Sequence, residues 1–349
     1  MADVSLLGSY VIPGPSTEAR RAVAEAQAAD RLGMGAVWES ELQSIVKDAG
    51  AICGYLGHAT ENIRIGTSIT HLTLRHPMIQ ASWGATMQAL TGNRYEFGFG
   101  RSFKMLFASY GAPAPTLQMM ADYAMILRQI WRGEPVTYDG PAGKYTDMVF
   151  RDRPDDLVPP PMHLAAIGPK TLELAGRHFD GVFFHPFMTP RAVAAKAKIV
   201  RDSAERAGRD PSSLKIYHEL VTAPDMEQEE IDEVVGARIA AYFSMPGLGD
   251  LILDANGWDG SRLDAYRETL ASSIAANESG ERKLSGRKLY IDAGKHFPPE
   301  WIAESAVVGT ASECAEGITR FIDAGADEVI LHGVTADRLG PTTTAFAKL

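Results

Sequence analysis

Asn62-Ile63-Arg64-Ile65-Gly66-Thr67-Ser68-Ile69-Thr70-His71-Leu72-Thr73-Leu74-Arg75-His76-Pro77 is the stretch from which the fold can be read. Ile63, Ile65 and Thr67 alternate with Arg64 and Gly66, the period-two pattern of a pleated strand. The pattern then breaks into Thr70, His71, Thr73, Arg75 and His76, a dense run of hydrogen-bonding side chains. Pro77 suits the first position of a helix, where its missing N–H costs nothing. Ile79, Trp83, Met87 and Leu90 follow at helical spacing. A strand that ends in a polar loop and feeds a helix is one unit of an α/β barrel, and in such barrels chemistry sits where strands end.

The same unit repeats on both sides. Upstream, residues 4–12 read as a strand closed by Pro13-Gly14-Pro15, and residues 17–32 as a helix stopped by Gly33. Ala36-Val37-Trp38 is a short strand with Glu39-Ser40-Glu41 at its end, followed by an alanine-rich helix over 43–60. Downstream, Gly92-Asn93 turns into a strand over 94–100, and Met120, Tyr123, Leu127, Ile130 and Trp131 stripe a helix over 116–132. Residues 162–167, 181–185 and 214–223 are further strands, separated by helices that open at Pro169 and at Thr189-Pro190. Thr310-x-x-Glu313 is a capping-box pattern, Cys314, Ile318, Phe321 and Ile322 line the helix it opens, and 327–332 is the last strand. Strict alternation of strand and helix implies a parallel sheet. About eight such units give a (β/α)8 TIM barrel, here one domain over 1–349. Two segments break the alternation: 133–161, after the fourth helix, and 225–304, before the last strand, with helical pieces at 228–242 and 261–277. Both read as insertions outside the barrel.

The chain has 349 residues, 45% of them hydrophobic, enough for a large core. A net charge of −10 argues against nucleic acid or anionic lipid as the main partner, because phosphate contacts need clustered Lys and Arg. Cys53 and Cys314 are far apart and form no CxxC, so neither a disulfide framework nor a zinc knuckle is expected. The first 14 residues lack the pattern of a signal peptide, and no apolar run reaches the ~18 residues of a membrane span. A cytoplasmic protein is the expectation.

Several strand ends carry candidate chemistry. Gly168-Pro169-Lys170-Thr171 sets free helix amides beside a lysine, which suits a phosphate or another anion. An ordinary strand-to-helix turn has the same composition. The glycines of Gly98-Phe99-Gly100-Arg101-Ser102 allow a flat ligand close to the backbone, and Arg101 offers an anion contact. A glycine-rich turn accounts for it equally. This is not a dinucleotide fingerprint, since Phe103 stands where GxGxxG needs its third glycine. His71 and His76 lie in the polar loop, and a lone histidine there is more often structural than catalytic. Of Glu39 and Glu41, one is expected to face the barrel mouth. His185 ends the sixth strand. His218 and Glu219 fall mid-strand and read as barrel filling. The absence of HxH, HExxH and GxSxG gives a metal-dependent lyase or hydrolase and a serine hydrolase little support.

Taken together these pieces resemble the bacterial luciferase-like superfamily of flavin and deazaflavin oxidoreductases. The matching segments are Leu32-Gly33-Met34-Gly35-Ala36-Val37-Trp38-Glu39-Ser40-Glu41, then Ile63-Arg64-Ile65-Gly66-Thr67-Ser68-Ile69 with Arg75-His76-Pro77. Gly98-Phe99-Gly100-Arg101, Gly168-Pro169-Lys170, Leu174-Ala175-Gly176 and Asp180-Gly181-Val182 continue the match. Val308-Gly309-Thr310 and Gly325-Ala326-Asp327-Glu328-Val329 complete it. Each is weak alone; their order across nearly the whole chain is specific. Arg75-His76-Pro77 and the Gly168-Pro169 break look most like the coenzyme F420-dependent branch.

The resemblance implies a cofactor ring in the barrel mouth, supported by a bulge with a non-prolyl cis peptide, here at Ser68-Ile69. Ser68, Ile69, Thr70 and His71 would lie beside the ring. Gly98, Gly100 and Arg101 would line its channel, and Ala166, Ile167, Gly168, Pro169 and Lys170 would meet its side chain and phosphate. Two positions depart from the pattern. Glu41 and Leu42 stand where several members carry an Asp-His pair, and Phe103 where sugar-phosphate dehydrogenases carry an acid. Glu41, His71 and His185 are therefore the acid–base candidates. The expected activity is hydride transfer between F420 and a small organic substrate, by a homodimer. The alternatives are an FMN-dependent monooxygenase using reduced flavin and oxygen, and a cofactor-binding protein without turnover.

Overall fold

The computed structural model describes residues 1–11, 20–41, 48–101, 104–281, 283–284 and 286–349. Eight parallel strands form the barrel: β1 Leu7–Tyr10, β2 Ala36–Glu39, β3 Arg64–Thr67, β4 Tyr95–Gly100, β5 Met162–Ala165, β6 Gly181–Phe184, β7 Lys215–Pro224 and β8 Glu328–His332. Each pairs with the next, and β8 pairs with β1 through Leu7↔Val329 and Ser9↔Leu331, so the sheet closes. Closure removes every free edge among these strands, which is how a barrel avoids the pairing hazard of an open sheet. This is the (β/α)8 barrel expected from the alternation.

Local chemistry sets the helix ends. Pro77 opens the Pro77–Thr91 helix, the His76 ring nitrogen accepts from the Met78 amide at 3.2 Å, and Gly92 closes it in the left-handed conformation. Thr116 and Thr189 cap the Leu117–Arg132 and Pro190–Arg206 helices. The capping box at Thr310 and Glu313 forms. Some elements differ from the sequence reading. Val4–Leu6 is a turn of 3-10 helix, so the first strand begins only at Leu7. Ile79 and Leu90 are exposed, because the Pro77–Thr91 helix buries Ala81, Gly84, Ala85 and Met87 instead. Small residues there let the helix lie close to the sheet: a Cβ on Gly84 would sit 2.8 Å from the Phe97 ring. The helix read over 43–60 is described as Ala49–Ala59. Ile12, the Pro13-Gly14-Pro15 break, Thr17, Leu42, Gln43, Ser102 and Phe103 lie outside the described residues.

Both expected insertions are built. Val136–Gly140 and Gly143–Met148 pair as an antiparallel hairpin. The described part of 225–304 is largely helical, including Gln228–Ile231, a π-turn over Asp232–Gly236, Ala237–Phe243, Leu248–Asn256 and Asp264–Glu278. They have an apolar cluster of their own, in which Val235, Ile239, Ile252, Phe297 and Trp301 pack with Phe187, Val221 and Ala223 from the ends of β6 and β7. The block is thereby fixed over one side of the mouth. Among the described residues no helix is long and apolar enough to cross a membrane.

The lower barrel is filled, not hollow. Trp38, Phe183, Tyr217 and Ile330 pack together, and a polar network runs through them. Arg64 pairs with Glu328 and, at 2.9 Å, with Glu96. Glu96 also accepts from Tyr217 at 3.0 Å and contacts His163 at 2.8 Å, while Trp38 donates to Glu328 at 2.8 Å. Burial works to raise the Glu96 carboxyl, but His163 and Arg64 hold it at about 2. Removing the one arginine would leave two carboxylates facing each other in the core. Arg64→Ala should cost roughly 2–4 kcal/mol of stability, less than a fully enclosed pair because Arg64 is partly open to water. Urea unfolding measures it, and an unchanged midpoint would show that the network is not structural.

Candidate functional site

The mouth is organised around the interruption after β3. The Ser68–Ile69 peptide is cis, as the family resemblance implied. Beyond it Thr70–His71 resumes pairing with β4, Thr70 beside Phe99 and His71 beside Gly100. The bulge is tied to three other strands. The Ser68 amide donates to the Glu39 carbonyl at 2.7 Å, and the Glu41 amide donates to the Ile69 carbonyl at 3.0 Å. From β1, the Tyr10 hydroxyl donates to the Ser68 carbonyl at 3.0 Å. From β7, the Glu219 carboxyl accepts from Ser68 Oγ at 2.6 Å. Two of the sequence-marked glycines serve this bulge directly. A Cβ on Gly98 would stand 2.0 Å from the Thr67 carbonyl oxygen, and one on Gly100 would stand 1.7 Å from the Ile69 side chain. The close approach that they permit is filled by the protein itself.

Glu41, His71 and His185 all lie at strand ends, in two groups. Glu41 is enclosed by Arg75, which donates from both terminal nitrogens, and by the Thr70 hydroxyl. Burial works to raise its carboxyl, but these hydrogen bonds and the arginine charge hold it below the usual range. Arg75 is held in turn over the Trp83 ring at 4.8 Å. Glu41 is therefore a fixed negative charge. His71 lies next to it, and neither ring nitrogen has a hydrogen-bond partner among the described residues. Burial lowers its pKa, the Glu41 charge partly restores it, and Arg75 lowers it further. His185 sits apart, just after β6. Its Nδ1 is 2.9 Å from the Pro186 carbonyl, its ring meets Tyr242 at 4.6 Å, and burial pushes it down to about 4.

The sequence reading passed over a third group. Glu219, taken as barrel filling, reaches the mouth with 14% of its side chain exposed. Burial pushes its carboxyl up to about 7, against the Ser68 hydrogen bond and the charge of Arg238. Its Oε2 faces His332 Nδ1 at 3.9 Å, and the Tyr10 ring stacks on His332 at 4.2 Å. Burial, followed by the charges of Arg238 and Arg287, drives His332 well below its ordinary value, so it is neutral. The available signals were modest: a histidine closing the last strand, and one arginine in the apolar run Ala237-Arg238-Ile239-Ala240-Ala241-Tyr242.

At the end of β5, Ala166 is buried and its amide donates to the Phe183 carbonyl at 3.0 Å. Ile167 is half-buried and its carbonyl accepts from Lys196 at 2.7 Å. Gly168 caps the Pro169–His178 helix without a side-chain acceptor, and Lys170 is exposed on its first turn. Arg101, after β4, is half-buried. Among the described residues no group of His, Cys, Asp and Glu could hold a metal ion. A hollow of about 590 Å³ beside Ile302, Val308 and Arg320 lies on the outside of the barrel and is lined by none of these strand-end residues.

The chain is similar to known proteins in sequence and in fold. The chain is 24% identical over 336 residues to 5,10-methylenetetrahydromethanopterin reductase of Methanolobus tindarius, covering 96% of this chain and 95% of that one. It is 37% identical over 141 residues to F420-dependent glucose-6-phosphate dehydrogenase of Beutenbergia cavernae, 38% of this chain and 41% of the relative. Its fold superposes on the coenzyme F420-dependent tetrahydromethanopterin reductase of Methanopyrus kandleri with a TM-score of 0.79 at 20% identity, over 99% of both chains. Residues 6–328 match the luciferase-like monooxygenase family, and the chain belongs to that family.

Proposed function

We propose that this protein is a coenzyme F420-dependent oxidoreductase that moves a hydride between the cofactor and a small organic substrate. The observation that carries this reading is the similarity to enzymes named for F420: 37% identity over 141 residues to the F420-dependent glucose-6-phosphate dehydrogenase, with a fold that superposes over 99% of both chains on the coenzyme F420-dependent tetrahydromethanopterin reductase. The donor set fits the cofactor. The uncapped start of the Pro169–His178 helix, with Lys170 beside it, is suited to a phosphate. Ala166, Ile167, Gly168, Pro169 and Lys170 would hold the cofactor's side chain, Arg101 would stand at its approach, and Ser68, Ile69, Thr70 and His71, packed against Gly98 and Gly100, would back its ring.

When bound, F420 supplies the site of hydride gain or loss at C5 of its deazaflavin. The chain supplies orientation and the proton. Glu219 is the best-placed proton carrier, because Ser68 occupies Oε1 and leaves Oε2 toward the mouth. A group with a pKa near the working pH can both give and take a proton. Glu41, locked by Arg75, is a poor proton donor and acts through its charge on His71. Neutral His71 and His185 bound the site and can accept a hydrogen bond from a substrate hydroxyl.

The cofactor reading is tested by titrating the protein with F420 and, separately, FMN, following tryptophan fluorescence. F420 should bind more tightly, and Lys170→Glu should weaken it roughly 10-fold or more. Preferential FMN binding would instead move the protein to the flavin monooxygenases, and binding without turnover on an alcohol, aldehyde and enone panel would leave a cofactor carrier.

The proton role predicts a pH profile. As pH rises through about 7, Glu219 loses its proton, so substrate reduction should slow and substrate oxidation should speed up. Glu219→Gln should abolish that limb and lower kcat roughly 10²–10⁴-fold. A variant retaining both limb and rate would assign the proton to another group.

We also propose a homodimer, built on Ile79 and Leu90 of the Pro77–Thr91 helix and Met125 of the Leu117–Arg132 helix, which are large apolar side chains exposed at 61%, 66% and 46%. Leu90→Glu should then shift the sedimentation coefficient from dimer to monomer.

A further inference from the structure

Arg238 is the one lysine or arginine that is buried among the described residues, at 2% exposure. Its Nε donates to the Val234 carbonyl, one turn earlier, at 3.0 Å. Neither Nη1 nor Nη2 has a hydrogen-bond partner among the described residues. The guanidinium interacts electrostatically with Tyr10 at the end of β1, Glu219 on β7, Tyr242 on its own helix and Arg287 of the same insertion, and it acts on His332 at the end of β8. It therefore faces the mouth from the side of β7, β8 and β1.

Its surroundings do not neutralise it. Burial and the neighbouring Arg287 lower its pKa only to about 10, so it is charged at neutral pH. Tyr10 and Tyr242 have their hydroxyls pushed up and remain neutral, and His332 is neutral. Glu219 is the one carboxylate among the strongest influences on Arg238, and it is half-protonated near pH 7. A buried charge without a partner is costly, and removing water from an ion normally requires a counter-ion in return. The net result is a local positive charge beside the mouth in a protein of net charge −10. Such a charge attracts anions locally.

We propose that Arg238, reinforced by the charge of Arg287 and the hydroxyl of Tyr242, anchors the carboxylate of a small organic acid, so that the substrate bound in this mouth is an anion. The two unpaired Nη groups of one planar fork match the two oxygens of a carboxylate. A single enclosed cation balances a monoanion better than a phosphate dianion, because Arg287 is half-exposed and shared with water. The site is distinct from the lysine turn read as the cofactor's phosphate site. That turn follows β5, which stands opposite β1 in an eight-stranded barrel whose strands pair in sequence order. The proposal rests on the reading of the mouth as the substrate-binding face.

The test is thermal unfolding of the full chain, with and without F420, in acetate, crotonate, benzoate and inorganic phosphate, at ionic strength held constant with chloride. Crotonamide is the neutral control. At least one carboxylate should raise the wild-type Tm by about 3 °C or more at millimolar concentration, and crotonamide should not. Arg238→Met replaces the cation by a neutral chain of similar length. It should be at least as stable as wild type without ligand and should show no carboxylate response. Arg238→Lys keeps the charge but loses the fork and should show a reduced response. Lys170→Glu should leave the carboxylate response intact. The proposal is overturned by a wild type that no carboxylate stabilises, by equal stabilisation with crotonamide or a larger one with phosphate, or by an Arg238→Met protein that still responds. An Arg238→Met protein that is strongly destabilised, together with an unresponsive Arg238→Lys and wild type, would make the arginine structural. If F420 fails to bind in the same samples while carboxylates still stabilise, the cofactor reading falls and the anion site stands.

Discussion

Everything at the mouth depends on how the interruption after β3 is held. The strand runs straight to Thr67, breaks for two residues, and resumes its pairing at Thr70. Contacts from β1, β2 and β7 meet at this break through Tyr10, Glu39 and Glu219. Neighbouring β4 contributes space, by having no side chain at Gly98 or Gly100. The same contacts that fix the backbone deliver the Glu219 carboxyl to the open end of the barrel. Scaffold and candidate chemistry thus share one set of hydrogen bonds. A ring placed against this bulge would meet a rigid surface, the preorganisation that positioning of a hydride requires.

The two ends of the barrel treat buried charge in opposite ways. In the lower barrel each oxygen of Glu96 and Glu328 has a partner: Arg64, His163 and Tyr217 serve the first, Trp38 and Arg64 the second. Carboxylates neutralised in this way favour one packing arrangement, although His163 Nδ1 in the same network has no partner among the described residues. At the mouth, His71 keeps both ring nitrogens unpartnered among the described residues, as Arg238 does its terminal nitrogens. Polar groups that are buried but incompletely satisfied are expected where a ligand completes them. The contrast lies in the charges: the lower-barrel carboxylates are neutralised by protein partners, whereas the terminal nitrogens of Arg238 are not.

Much of the frame was legible in the sequence because strand and helix periods differ, and the chain alternates between them at regular intervals. Pro77, Pro169, Pro190 and Thr310 mark helix starts by local chemistry alone. Ile79 and Leu90 were misjudged because periodicity shows that residues share a stripe, not whether the stripe packs on the sheet or faces outward. The site was less legible. Glu41 and His71 stood out because they follow short strands. Glu219 did not, because β7 is ten residues long and an interior strand position gives no sign of its height in the barrel. Arg238 lies in an insertion whose position over the mouth is set by contacts between residues far apart in sequence. Its one local sign was a cation in an otherwise apolar run.

That insertion explains how a cation can be kept without water. A lone guanidinium on an exposed loop would be solvated and would attract anions only weakly, since screening and side-chain freedom dissipate the field. Here the helix carrying Arg238 also carries Ile239 and Ala240, which lock into the cluster with Val235, Ile252, Phe297 and Trp301. The π-turn over Asp232–Gly236 just before the helix adds one residue per turn and so changes which side chains face the barrel. Apolar packing on one side of the helix thus provides the free energy that holds the charged residue on the other side in a dry place. Substitutions in that apolar face would act on the charge through its position, while substitutions at the strand ends would act on what it meets. On the proposal that Arg238 anchors a carboxylate, the barrel would supply the reaction surface and the insertion would decide which chemical class is drawn onto it.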